Sequence, residues 1–160
     1  MAKKDQQADE MRDDVPSTIA RSDDKAVRTY KETLESAEET YGDGERAHRT
    51  AFSALKHTHE KVGDHWEPKD HKGPSDAQAA KGRDEARSGG SETAGGVDAN
   101  ASKDHLVKVA RRVGVTNAAR LKKADLVEAI EKANTRATRK ARENDRAKEN
   151  DGKNKKSKRG

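Results

Sequence analysis

Residues 22–66 of the chain read SDDKAVRTYKETLESAEETYGDGERAHRTAFSALKHTHEKVGDHW and carry the pattern of two amphipathic helices. Ser22 and Asp23 offer side-chain oxygens that can cap the first helix. Gly42-Asp43-Gly44 predicts where that helix ends. Its apolar positions recur every three or four residues, at Ala26, Val27, Tyr30, Leu34, Ala37 and Tyr41.

The second helix is predicted over residues 45–62, with Gly63 as its C-terminal stop. Because the loop between the two helices is short and rich in glycine, we expect them to pack as an antiparallel pair. Trp66 follows directly and is predicted to cover that pair, since an indole buries a large apolar area. The apolar side of the second helix comprises Ala47, Ala51, Phe52, Ala54, Leu55 and Val62.

The composition limits how much of the chain can fold. Only 29% of the 160 residues are hydrophobic and 41% are charged, so a large buried core is excluded. Cysteine is absent, which excludes disulfides and thiolate metal sites and favours a reducing compartment. No apolar run resembles a signal peptide or a membrane span. We therefore expect a cytoplasmic protein without an integral membrane segment.

The net charge of +5 is distributed very unevenly along the chain. Residues 1–100 carry 16 Lys and Arg against 22 Asp and Glu, a net charge of −6. Residues 101–160 carry 19 against 8, a net charge of +11. The back of the chain should therefore attract polyanions. The acidic front is also expected to fold over the basic back and weaken that attraction.

A second helical pattern lies in the basic region. Residues 103–113 have apolar residues on one face, and Gly114 and Val115 are placed as a left-handed cap with its hydrophobic contact. An extended stretch, residues 116–121, leads to a further helix that begins near Lys123. The inward positions of these two helices are Leu106, Val109, Ala110 and Val113, then Leu126, Ala129, Ile130 and Ala133.

The remaining residues divide the chain into five segments. Residues 1–14 and 134–160 are predicted to be disordered tails, the latter basic. Residues 70–102 are rich in Gly, Ser, Ala, Asp and Thr and are predicted to be a flexible linker that leaves the flanking modules independent. The fold class expected is mainly α: a small helical front module (residues 15–69) and a helix–extended–helix back module (residues 103–133).

The front module resembles the ChaB family over residues 15–69. The resemblance implies a small, mostly helical domain with a short β-sheet, and regulation of a cation antiporter. Phe52 stands where the family usually has Trp, and Arg21-Ser22-Asp23 replaces the family's second Leu-Pro pair. The matching blocks are Val15-Pro16-Ser17-Thr18-Ile19, Tyr30-Lys31-Glu32, Ala37, Tyr41, Arg46-Ala47-His48, Ala51-Phe52, Ala54-Leu55-Lys56-His57 and Trp66.

The back module is similar to the N-terminal motif of the transcription terminator Rho, a relative of the SAP motif. This resemblance covers residues 103–133 and implies a role in binding nucleic acid. It rests on Leu106-x-x-Val109-Ala110-x-x-Val113-Gly114-Val115, followed by Leu121-x-Lys123-x-Asp125-Leu126-x-x-Ala129-Ile130.

The candidate nucleic-acid-binding residues lie in and after this motif. Because no aromatic residue follows Trp66, stacking on bases cannot contribute there. We therefore expect non-specific binding that is roughly micromolar and strongly salt-dependent. The candidates are Arg111, Arg112, Arg120, Lys122, Lys123, Arg136, Arg139 and Lys140.

Metal binding and catalysis have little support in the sequence. Five histidines fall within residues 48–71, but none is paired at the i, i+4 spacing that grips one ion. No nucleophile, acid–base or phosphate-loop motif is recognisable, so neither an enzyme nor a cofactor is expected. The aromatic residues are assigned to a structural core together with apolar residues of all four helices: Tyr30, Leu34, Tyr41, Phe52, Leu55, Trp66, Leu106, Leu126 and Ile130.

The sequence thus favours a non-enzymatic, largely sequence-nonspecific nucleic-acid-binding protein linked to transcription termination or nucleoid association. DNA and RNA are equally compatible with the pattern. The alternative is a regulator of a cation antiporter that binds a protein partner through residues 15–69. The oligomeric state is left open.

Overall fold

The computed structural model of the chain describes residues 2–75 and 94–157. Short 3₁₀ turns at Arg12–Asp14 and Ala118–Arg120 supplement the helices and strands. The elements in chain order are α1 (Ala2–Met11), α2 (Ser17–Ala20), α3 (Asp24–Tyr41), α4 (Glu45–Thr58), β1 (His59–Val62), β2 (His65–Pro68), α5 (Lys103–Arg112) and α6 (Lys123–Ser157). The fold is therefore mainly α, as the sequence predicts, with a small two-stranded sheet.

The start and end of α3 follow the sequence signals closely. The Asp23 carboxylate caps the helix by accepting a hydrogen bond from the Ala26 amide at 2.7 Å. Gly42 ends it with φ of 79°, a left-handed conformation that glycine adopts without strain. The front core between α3 and α4 contains Ile19, Ala26, Val27, Tyr30, Leu34, Ala37, Ala47, Ala51, Leu55 and Trp66.

Three aromatic rings of the front module pack in a row. The rings of Tyr30 and Phe52 meet edge to face with centroids 4.9 Å apart, and Phe52 lies 6.2 Å from Trp66. Tyr30 and Trp66 are buried, while Phe52 and Tyr41 are partly exposed at the edge of the core. Trp66 thus covers the α3–α4 pair, the position that the sequence predicts.

Helix α4 ends at Thr58, four residues earlier than the sequence predicts, and residues 59–62 form a strand instead. His59 is fully buried, with its Nε2 atom 3.1 Å from the capping carboxylate of Asp23. The backbone of His59 is extended, with φ of −132° and ψ of 155°, and the chain leaves the helix there. Gly63 then occupies the first position of a two-residue hairpin turn with φ of 67°, which brings β2 back beside β1.

The two faces of the β1–β2 hairpin pack on different cores. In the register of the hairpin, Lys61 pairs with Trp66 and Val62 pairs with His65. Because cross-strand partners share a face and neighbouring residues of a strand lie on opposite faces, Trp66 and Val62 are on opposite faces of the hairpin. Trp66 belongs to the front core, whereas Val62 belongs to the core of the back module. The hairpin therefore lies between two hydrophobic cores and contributes one face to each.

The back module has the two helices that the sequence predicts, but residues 116–121, predicted to be extended, form a turn followed by the 3₁₀ turn Ala118–Arg120. Helix α5 ends in a Schellman cap, in which the Val115 amide bonds to the Ala110 carbonyl at 2.9 Å and Gly114 has φ of 86°. The chain then crosses a 3₁₀ turn and enters α6. The buried members of this core are Val62, Ala94, Val97, Leu106, Val109, Ala110, Ala118, Leu126 and Ile130.

Two segments predicted as tails are helical where the structure describes them. Helix α6 continues through residues 134–157, which contain no proline and many strong helix formers. At the front, residues 2–11 form α1, and the Arg12 guanidinium anchors the end of that segment. It donates to the carbonyls of Ala20 and Ser22 and pairs with Asp24 at 2.5 Å.

The described parts of the predicted linker are packed. Residues 76–93 lie outside the described residues, but the Lys61 amide donates to the Gly96 carbonyl at 2.8 Å, and Val97 is buried. The Lys69 side chain, only 3% exposed, donates to the carbonyls of Lys56 and Gly73. Small residues allow close packing here. Composition alone does not distinguish a packed segment of small residues from a flexible linker.

The two modules are consequently joined, and the expectation of independent bodies is wrong. Asn134 of α6 is buried and binds the hairpin turn through both ends of its amide: its oxygen accepts from the Gly63 amide at 2.7 Å, and its nitrogen donates to the Lys61 carbonyl at 2.9 Å. Farther along α6, Asp145 pairs with Arg21 at 2.5 Å. Helix α6 therefore runs along the front module.

Replacing Asn134 with alanine should destabilise the chain. The substitution leaves the Gly63 amide and the Lys61 carbonyl without their buried partner, which costs about 1–3 kcal/mol for each unsatisfied group. Urea unfolding followed by circular dichroism measures the loss. Asn144→Ala on the exposed part of the same helix is the matched control and should leave the midpoint nearly unchanged. Equal midpoints for the two variants would contradict the proposed role of Asn134.

Replacing Gly96 with alanine should disturb the contact between residues 94–102 and the hairpin. A Cβ atom there would lie 2.6 Å from Cη2 of Trp66 and 2.8 Å from Cβ of Lys61, so one of them must move. We expect a loss of about 1–3 kcal/mol, the usual cost of overpacking, with a shifted emission of the sole tryptophan. The matched control is Gly152→Ala, where the added Cβ atom would meet no atom within 4 Å. It should not lower the stability, and it should leave the tryptophan emission unchanged.

Candidate nucleic-acid interface

Five cationic residues surround the connection between α5 and α6, and we call this group the basic junction: Arg111, Arg112, Arg120, Lys122 and Lys123. The Schellman cap of α5 turns the chain sharply after the two arginines. Asn117, with φ of 56°, then starts the 3₁₀ turn that leads to the lysines.

The back core fixes the basic junction in place. Leu106 on α5 and Leu126 on α6 are fully buried, and Ala118 of the turn between them is 3% exposed. The apolar side chains therefore occupy the inside of the junction, and its cations are left on the outside. All five are exposed.

Four of the five cations have no anionic partner among the residues that the structure describes. Within residues 2–75 and 94–157, no carboxylate lies within ion-pair distance of Arg111, Arg120, Lys122 or Lys123. Lys122 and Lys123 also stand at the N-terminus of α6, where the free amides and the helix dipole favour anions. The acidic residue nearest in sequence is Asp125, in the first turn of α6.

Arg112 differs from the other four because it has a partner. Its two Nη atoms lie 2.7 and 2.5 Å from the two carboxylate oxygens of Glu67 on β2, a bidentate pair. The hydrogen bonds from Arg112 lower the pKa of the Glu67 carboxyl, and His65 adds a further bond to it at 3.0 Å. The side chain of Arg112 is still 55% exposed.

The other candidates, Arg136, Arg139 and Lys140, lie on the exposed side of α6. At 100° per residue they are roughly 140–240° around the helix from Asn134, which faces the hairpin. They are about 20–26 Å along the axis from Lys123 and form a separate basic patch on the same rigid helix. The structure thus brings the five junction residues together and keeps these three apart from them.

Five of the histidines make hydrogen bonds within the fold. His48 bonds to the Tyr30 hydroxyl at 2.9 Å, and His57 to the Ser53 carbonyl at 2.8 Å. Burial lowers the pKa of His59, despite the opposing effect of Asp23. In the part of the chain that the structure describes, no group of three or more His, Cys, Asp or Glu residues could hold a metal ion.

A cleft of about 450 Å³ lies where the front and back modules meet. Glu60 on its wall is buried, which raises the pKa of its carboxyl, while His105 of α5 bonds to it at 2.7 Å and opposes that effect. The buried ammonium of Lys69 also contacts Asp98 at 3.4 Å. Every polar group named here contributes to joining the modules.

Sequence reasoning missed Glu60, Glu67 and His105 as a connected set. A usable signal was present, because Gly63-Asp64 is a hairpin turn dipeptide flanked by the short runs His59–Val62 and His65–Pro68. A hairpin there would have placed Glu60 and Glu67 side by side.

None of the helices within residues 2–75 and 94–157 combines the length and the apolar character needed to cross a bilayer.

Comparison with known families agrees with this division of the chain. The ChaB family model matches residues 15–69, which include α2, α3, α4 and the hairpin. The model of the Rho termination factor N-terminal domain matches residues 104–138, which include all but the first residue of α5 and about half of α6. Comparisons with curated proteins and with solved structures give no significant match. The chain therefore matches two families in series, ChaB and then the Rho termination factor N-terminal domain, in the order that its sequence predicts.

Proposed function

We propose that this protein is a non-enzymatic nucleic-acid-binding protein that holds the phosphate backbone at its basic junction. The observation that carries the proposal is a cluster of exposed cations, four of them unpaired among the described residues, mounted on a buried core. The match of residues 104–138 to the Rho termination factor N-terminal domain supports it and suggests a role in transcription termination or nucleoid association.

The mechanism is electrostatic. Each phosphate that a lysine or arginine neutralises releases condensed counterions, which gives affinity without reading the bases. The excess of 11 positive charges in residues 101–160 attracts the polymer from a distance, and the rigid helix α6 extends the contact to Arg136, Arg139 and Lys140.

Base stacking contributes little in this arrangement. All four aromatic residues lie in the front module, and Tyr30 and Trp66 are buried there. Tyr41 is covered by the guanidinium of Arg46, 3.7 Å above its ring. We therefore propose binding that discriminates weakly between sequences and falls steeply with salt.

A second candidate function is the regulation of a cation antiporter through a protein partner of the front module. The ChaB match to residues 15–69 favours it. The two functions separate experimentally, because regulation through α3 and α4 should survive loss of the junction lysines. A chain that alters antiporter flux in vesicles, yet binds neither DNA nor RNA, would favour the second candidate.

Removing two junction charges tests the first candidate. The double variant Lys122→Gln/Lys123→Gln should bind a fluorescein-labelled duplex or single-stranded RNA more weakly in anisotropy titrations. Its plot of log K against log salt should lose a slope of about 2, because two phosphate contacts are lost. The matched control is Lys25→Gln/Lys72→Gln, which removes the same charge from exposed positions outside the junction.

We expect the control to keep the wild-type slope. Equal slopes for the two double variants, or a wild-type affinity that does not change between low and moderate salt, would contradict the proposal. DNA and RNA titrated side by side show which polymer is preferred.

A further inference from the structure

Two carboxylates stand side by side on one face of the hairpin. Glu60 and Glu67 are direct cross-strand partners in the register of β1 and β2. Like charges at opposed positions of a hairpin are destabilising, so this pair needs cations nearby. The front core does not supply them, because it packs on the opposite face through Trp66.

Helix α5 of the back module supplies both counter-charges. His105, near its start, bonds to Glu60 at 2.7 Å, and Arg112, at its end, forms the bidentate pair with Glu67. The two residues are seven positions apart, which is close to two helical turns, so they share one face of α5. The acidic pair of the front module therefore holds α5 along its length.

The two contacts differ in burial. The side chain of Glu60 is 7% exposed and that of His105 is 30% exposed, so this contact belongs to the interior of the joint. The side chains of Glu67 and Arg112 are 27% and 55% exposed. Arg112 can therefore leave Glu67 and turn toward solvent while the Glu60–His105 contact keeps α5 in place.

A carboxylate in this position competes with phosphate. Glu67 takes one N–H from each Nη atom of Arg112. Paired N–H groups of this kind fit a carboxylate or a phosphate, so a phosphate that binds this edge of the guanidinium must replace Glu67. Arg112 is the neighbour of Arg111 in the basic junction, where we propose that phosphates bind. His65 lies 3.0 Å from Glu67 and remains as a partner for that carboxylate when Arg112 departs.

We propose that Glu67 of the ChaB-like front module is an internal phosphate mimic that occupies Arg112 and restrains nucleic-acid binding by the back module. This inference rests on the proposed function of the basic junction. Nucleic acid must displace Glu67 to bind the Nη edge of Arg112 with a phosphate, so the front module lowers the affinity of the back module. The Arg112–Glu67 pair is a specific contact of the kind expected from the attraction between the acidic front and the basic back.

The variant Glu67→Gln tests the inference in the full-length chain. Because the contact is partly exposed, we expect the affinity for a labelled duplex at low salt to rise by about two- to fivefold. Glu39→Gln is the matched control, since it removes the same charge from an exposed position of α3 that has no contact with Arg112. Its affinity should rise by less than that of Glu67→Gln.

A third arm assigns the gain to Arg112. In an Arg112→Gln background, adding Glu67→Gln should change the affinity no more than adding Glu39→Gln does, since the competing partner is gone. The inference is overturned if the two glutamate variants behave alike in the wild-type background, or if the extra gain persists without Arg112. If no chain, wild type included, binds DNA or RNA, the proposed function itself fails and the inference falls with it.

Discussion

The β1–β2 hairpin is the element on which both cores of this protein depend. Trp66 on one face closes the front core, and Val62 on the other enters the back core. With so few apolar residues in the chain, neither module has enough of them to bury a core of its own size without this shared wall. Asn134 binds the turn of the hairpin, and Gly96 packs against Trp66 beside it. Ten residues thus connect what the sequence presents as two separate modules.

This arrangement explains how a two-helix motif of about 35 residues can present its cations at fixed positions. Motifs of that size rarely hold a stable fold alone. Here Glu60 and Glu67 hold α5. Helix α6 is held through its own Asn134, which bonds to the hairpin, and through its Asp145, which pairs with Arg21. The basic junction, which lies between α5 and α6, is therefore preorganised. Its cations are exposed, and Arg112 is the one that pairs with the front module among the described residues. Under the proposed function, the same contacts that stabilise the motif also couple its affinity for nucleic acid to the front module.

Much of the fold could be predicted from local signals. Asp23 as a cap, Gly42 as a stop and the Gly114–Val115 cap all act within a few residues of sequence, so their patterns suffice. The packed residues 94–102 depend on partners far away in the chain, such as Lys61 for Gly96. Asn134 is another example: a polar residue in a basic helix gives no local sign that a hairpin turn 71 residues earlier needs it. The cations of the junction were predictable by type, but the pairing of Arg112 was not.

The most direct test of phosphate binding at the basic junction is a residue-resolved one. A ¹⁵N-labelled full-length chain, titrated with a short duplex at low salt, reports through its amide chemical shifts which residues meet the polymer. We expect the largest changes within residues 111–123 and at Glu67, with the Trp66 indole unchanged because it stays buried. Changes confined to α3 and α4, or none at all up to millimolar duplex, would contradict binding at this site.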